Sequence, residues 1–234
     1  MEVDVPNTLA KIRPDLLHYK KLNLGCGWDI REGFLNVDLH DFHKPDYVAD
    51  ILDLHELPSG HYNIIVAQDV LEHIERAKQV PALKEWARLL SAHGRLKVRL
   101  PSLFDMLRMG TGKGWFSIQA HAHLVNMVYG TQAYNGDYHL AGHTALTLVD
   151  AGKQVSLAIS HASVKDGWLF DVEFARNTEE LSNEEFVHNV YFEELGRPVD
   201  PSGFRMSLDI LVRQSRDALV AIIRDSAEWK SLRA

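Results

Sequence analysis

The chain is 234 residues long, 46% hydrophobic, 24% charged and 9% aromatic, and a folded domain of that size hides roughly 70–75% of its unfolded surface, so a sizeable core is within reach. Those fractions sit near the globular average and exclude a disordered, collagen-like or disulfide-stapled chain. A formal net charge of −7 argues against nucleic acid or an anionic membrane as the main partner, since both attract basic surfaces.

Cys26 is the single cysteine, which rules out an internal disulfide and suits a reducing compartment. The apolar runs fall short of the ~20 residues a membrane span needs, and the opening Met1-Glu2-Val3-Asp4-Val5-Pro6 lacks the basic and apolar parts of a secretory leader. A cytoplasmic protein without a membrane span is expected.

Residues 1–20, with Pro6, Pro14 and some helical character around Asp15 to Tyr19, read as a lead-in. Lys21 to Leu24 alternates as a strand and breaks at Gly25-Cys26-Gly27; Gly33 to Asp38 is a second strand closed by an acid. Asp46 to Asp50 and Tyr62 to Ala67 follow as two more. A helix is predicted next, with Pro81 at its first position, Leu83, Ala87 and Leu90 at helical spacing, and Gly94 just past its end. Arg95 to Leu100 alternates as a strand and stops at Pro101. Strands alternating with helices imply crossover units, hence a mainly parallel α/β sheet flanked by helices on both faces.

Helical stretches near Leu103 to Met109 and His121 to Tyr129 precede a glycine- and histidine-rich loop, and Gln154 to Ser160 with Trp168 to Ala175 read as an antiparallel hairpin on the sheet edge. After Arg176 three helical segments follow without a strand. Ser182 and Glu185 form a capping-box signature, and Gly196-Arg197-Pro198 ends the first segment. The expected organisation is a lead-in over 1–20, a ligand-binding α/β domain over 21–176 and a small all-helical module over 177–234.

The chemistry gathers at strand ends. Gly25-Cys26-Gly27 lets the backbone approach a ligand at the carboxyl edge of the sheet, and Asp38, ending the next strand, can accept hydrogen bonds from both hydroxyls of a ribose. The dinucleotide fingerprint wants a third glycine where this chain has Ile30, which counts against NAD. Asp50 ends the third strand and Gln68-Asp69 the fourth.

Leu22 to Gly27, Gly33 to Asp38, Val48 to Leu54, and Ile64 to Val70 followed by Leu71-Glu72-His73-Ile74 together resemble the successive motifs of class I S-adenosylmethionine-dependent methyltransferases, over roughly residues 20–175. The resemblance implies a Rossmann-like methyltransferase sheet and S-adenosyl-L-methionine as cofactor. It implies that Gly25 and Gly27 flank the methionine part and that Asp38 holds the ribose, with Asn23, Cys26 and Leu39 also cofactor-binding. Asp50 with the Ile51 backbone would face adenine and Gln68 would lie beside the sulfonium, with Asp69 and His73 also close to the cofactor. Many members carry an acid where this chain has Asn23, which can still accept through its amide oxygen.

On the acceptor side, residues 124–143 resemble a loop of methyltransferases associated with bacterial surface glycans. An oxygen acceptor benefits from a general base, and histidine suits that role near neutral pH; His139 is the first choice and His143 the second. A metal site from His121, His123, His139 and His143 lacks a supporting cysteine or carboxylate pattern, and no metal is expected. Trp115 could cover the pocket or stack on a sugar.

Tyr191 to Phe204, with Ser226 to Trp229, resembles a helical domain of unknown function attached to bacterial surface-layer and glycan-modifying proteins, and implies a protein partner or dimerisation. The expected function is methyl transfer to an oxygen or nitrogen of a small molecule or glycan. Its rivals are a non-catalytic S-adenosylmethionine-binding sensor or adaptor and an oxidoreductase with a degenerate NAD fingerprint.

Overall fold

The computed structural model, which describes residues 13–134, 136–176 and 181–234, has strands β1 (Lys21–Leu24), β2 (Leu35–Asp38), β3 (Tyr47–Val48), β4 (Tyr62–Gln68), β5 (Leu90–Pro101), β6 (Leu157–Lys165) and β7 (Leu169–Arg176). They join in one sheet in the order β3-β2-β1-β4-β5-β7-β6. The first five run parallel to one another, while β7 is antiparallel to both β5 and β6. This is the expected mainly parallel α/β sheet, with the late antiparallel hairpin at its edge. Leu22, Asn23 and Leu24 are all buried, as a central strand covered on both faces requires.

The helices are α1 (Arg76–Leu89), α2 (Leu103–Gly110), α3 (Ile118–Tyr129), α4 (Ala145–Lys153), α5 (Asn183–Leu195), α6 (Pro201–Arg213), α7 (Arg216–Asp225) and α8 (Ala227–Ser231). Trp86, Leu83 and Leu89 of α1 are fully buried, and Trp86 Nε1 donates to the Ile51 carbonyl at 3.0 Å. That contact ties the helix to the loop after β3.

Several elements depart from the sequence reading. Pro81 lies inside α1, which starts at Arg76; the acceptor that its missing N–H leaves is the carbonyl of exposed Ala77, where water can take over. Gly94 is buried within β5 and does not cap a helix: a Cβ there would lie 2.8 Å from the Tyr62 carbonyl oxygen, beside the register shift between β4 and β5. The helical lead-in is a 3-10 turn over Pro14–Leu16. No helix separates β1, β2 and β3, so those crossovers run as loops. α4 was not foreseen; Thr144 and Thr147 form its capping box.

The tail has four helices where three are predicted. Ser182 and Glu185 make the reciprocal cap of α5. One side of α5 joins the main core through Phe192, and Asn189 Oδ1 accepts from Ile159 N at 3.1 Å. Its other side packs with Leu211, Leu219 and Ile223 in a second apolar cluster. Within that cluster Glu194, nearly buried, takes Arg224 Nη2 at 2.6 Å and Trp229 Nε1 at 2.9 Å. The predicted lead-in falls largely, and the start of the helical module wholly, on residues outside those described. Among the described residues no helix is long and apolar enough to cross a membrane.

Candidate active site

β1 runs out into a bend with φ of +59° at Gly25 and +46° at Gly27, a region open to glycine at little cost. At Gly25 glycine is also a packing requirement, because a Cβ would stand 2.7 Å from Val70 Cγ2. A Cβ on Gly27 would meet nothing within 4 Å. Across the bend, Asp38 is fixed by the backbone: Oδ2 accepts from Gly27 N at 2.8 Å and Oδ1 from His40 N at 3.2 Å.

Between these strand ends opens a cleft of about 630 Å³. All the cofactor-side residues picked from the sequence line it: Asn23, Gly25, Cys26 and Gly27 at the bend, Asp38 and Leu39 after β2, Asp50 and Ile51 after β3, and Gln68, Asp69 and His73 after β4. Asp50 Oδ1 accepts from Leu52 N at 2.9 Å, which shapes the turn. Burial, with the Asp38 carboxylate adding to it, pushes the Cys26 thiol up to about 11. The sulfur is therefore a neutral thiol at neutral pH and no nucleophile.

Several residues at the cleft escaped the sequence reading, among them Arg31, Arg99 and Trp28. Arg31 donates from Nη2 to Gln68 Oε1 at 2.7 Å while pairing with Asp29 at 2.6 Å, so it sets the orientation of the Gln68 amide. Arg99 of β5 lines the cleft and pairs with Asp69, whose φ of +54° is a conformation aspartate tolerates better than most residues. Trp28 stands at the rim, 87% exposed, with its ring 3.8 Å from His43. Trp115 is not at the cleft; it stacks at 6.0 Å on His123. Asn23 commits its Nδ2 hydrogens to Asp29 O at 2.7 Å and Asn36 Oδ1 at 3.0 Å. Only its Oδ1 is left for a ligand.

The opposite wall comes from Tyr134, Gly136 and Leu140. It is stitched to the turn after β4 by Leu140 N and Ala141 N, which donate to Glu72 O at 2.8 and 3.2 Å. His73 and His139 meet edge to face, ring centroids 4.9 Å apart. Each faces a carbonyl through Nδ1, His73 that of Tyr138 at 3.1 Å and His139 that of Met127 at 3.0 Å. A carbonyl can only accept, so both Nδ1 atoms carry the proton and both Nε2 atoms keep a lone pair.

His143 is placed differently. It is 4% exposed, and its Nε2 lies 3.0 Å from Gln79 Oε1 and its Nδ1 3.3 Å from Thr147 Oγ1; neither it nor His139 lines the cleft, but His139 packs on His73, which does. His121 and His123 lie exposed on α3, so the four-histidine cluster does not assemble. Burial, with Arg76 adding to it, pushes the His143 imidazole down to about 4. Between the unfolded value near 6.5 and that folded value the unfolded chain binds the extra proton, so acidification through this window destabilises the fold. The loss from His143 is roughly 2 kcal/mol by pH 5. Urea midpoints at pH 7.5 and 5 should report it, and His143→Gln should reduce the slope; an equal slope in the variant would contradict a buried neutral imidazole.

Residues 16–98 match the model of a family described as a methyltransferase domain. No curated protein sequence matches the chain. Among solved structures it is similar to a TehB-like SAM-dependent methyltransferase from Corynebacterium glutamicum, 19% identical over 68% of this chain and 81% of that one, with a TM-score of 0.41. It is also similar to a SAM-dependent methyltransferase from Methanosarcina mazei, 13% identical over 74% and 100%, with a TM-score of 0.48. A third is the 1,6-didemethyltoxoflavin N1-methyltransferase of Burkholderia thailandensis with bound S-adenosylhomocysteine, 10% identical over 67% and 70%, with a TM-score of 0.44.

Proposed function

We infer that the protein is an S-adenosylmethionine-dependent methyltransferase that methylates an oxygen or nitrogen of a small molecule or glycan. The observation that carries this is the convergence of the glycine bend, the backbone-fixed Asp38 and the clamped Gln68 on one cleft, in a chain whose residues 16–98 match a methyltransferase domain. The residues fit the cofactor. Each Asp38 oxygen accepts one N–H and keeps a second lone pair for a vicinal diol, and the open face at Gly27 admits a ligand where a side chain would stand.

The bound sulfonium supplies an already activated methyl carbon, so the chain's task is alignment, worth up to ~7–11 kcal/mol for well-oriented reactants. His139 is the group we place at the acceptor: with Nδ1 held by Met127 O, its Nε2 lone pair is the one able to act on an incoming hydroxyl. The glycan class of acceptor rests on the resemblance of residues 124–143 and of the tail.

Calorimetry should give saturable binding of S-adenosylhomocysteine and no heat with NAD; the reverse would reject the reading. A labelled-methyl screen against a host lysate then separates enzyme from adaptor. A protein that binds S-adenosylhomocysteine and transfers nothing is the non-catalytic sensor.

A further inference from the structure

We propose that Glu72, His73 and His139 form a binding site for a divalent first-row cation on the acceptor side of the cleft. One ligating atom from each lies within 4.8 Å of those of the other two. The two imidazoles are prepared as ligands: each donates Nδ1–H to a backbone carbonyl, which fixes the ring and leaves Nε2 as the donor atom, the arrangement that supports histidine in metal sites. Glu72 supplies the independent observation. It is 2% exposed, and its Oε2 is a buried oxygen without a hydrogen-bond partner among the described residues, a costly state for a polar atom.

A cation resolves that cost. A bound cation gives that oxygen a partner and favours the ionised carboxylate. Two imidazoles and one carboxylate suit Zn²⁺, Co²⁺, Fe²⁺ or Mn²⁺ better than Ca²⁺. A four-coordinate cation with bonds of about 2.1 Å sets its donors about 3.4 Å apart, closer than the 4.8 Å within which one ligating atom of each residue lies, so the side chains draw in on binding. The backbone bonds from Leu140 N and Ala141 N to Glu72 O hold the two contributing segments together while they do so. Three protein ligands leave positions open for an oxygen of the acceptor, and His73 itself lines the cleft. In its role, though not in its existence, the site rests on the methyltransferase reading above; with the cation bound, the His139 Nε2 lone pair is a ligand and no longer a base, and the cation takes over the acceptor oxygen as a Lewis acid.

The test uses the full chain stripped with chelator and titrated with CoCl₂ by visible absorption, then with ZnCl₂ by calorimetry. The expected result is one cation per chain, with the ligand-field bands of nitrogen and oxygen coordination. His139→Ala and Glu72→Gln should each lower the affinity by about a hundredfold or more. His139 is only half-buried, so its variant keeps the test sound should the Glu72 variant fold poorly. No saturable binding, or undiminished binding by His139→Ala, overturns the proposal. S-adenosylhomocysteine binding measured in chelator separates the two readings: cation binding without it leaves the metal site standing and removes the methyltransferase, and the converse removes only the metal.

Discussion

Asp38→Ala is expected to weaken S-adenosylhomocysteine binding by about 100-fold or more, since hydrogen bonds to a charged group contribute about 1.5–3 kcal/mol each and a ribose offers two. The carboxylate is preset for that task. Gly27 N and His40 N each hold one of its oxygens, so little rotamer freedom remains to be lost on binding. Removing it also frees the Gly27 amide and loosens the bend beside it. Asp38→Asn should fall between parent and alanine variant, because one acceptor oxygen survives. Calorimetry on the three proteins measures this, with circular dichroism to establish that the alanine variant is folded. An unchanged Kd in a folded Asp38→Ala would remove the ribose contact and with it the case for this cleft as the cofactor site.

How far the sequence spoke for itself follows from what kind of contact each feature makes. β1, β2 and β4 were legible because Leu22, Leu24, Leu35, Val37 and Ile65 are core residues whose spacing along the chain mirrors their burial. Asp38, Asp50 and Gln68 were legible because a strand end in a parallel sheet is a fixed address relative to its neighbours. Arg31 had no such address: it reaches Gln68 from a loop 37 positions away in sequence, and nothing in its surroundings marks that partner. Pro81 misled for a different reason. The preference of proline for the first turn is a local rule, and the burial of Leu83, Trp86 and Leu89 outweighs the one backbone bond that proline forfeits. His139 and His143 are indistinguishable as letters four positions apart. Only the packed structure separates a half-buried ring packed on His73 from one enclosed by Gln79 and Thr147.

Gly25→Ala and Gly27→Ala should fail in different ways, and the difference tests whether the bend is built for a ligand. Both residues have positive φ, so alanine at either costs about 1–2 kcal/mol in backbone conformation. At Gly25 the new methyl also meets Val70 Cγ2 at 2.7 Å, and Val70 is itself buried against the core. Overpacking there adds about 1–3 kcal/mol, enough for a marked fall in thermal midpoint with or without ligand. At Gly27 the methyl meets no protein atom within 4 Å and stands where the cofactor would pass. Gly27→Ala should therefore lose only the conformational share of stability, yet lose most of the thermal stabilisation that saturating S-adenosylhomocysteine gives the parent. If Gly27→Ala is stabilised by the ligand as strongly as the parent, the open face of the bend is not where the cofactor lies, however well the rest of the cleft is lined.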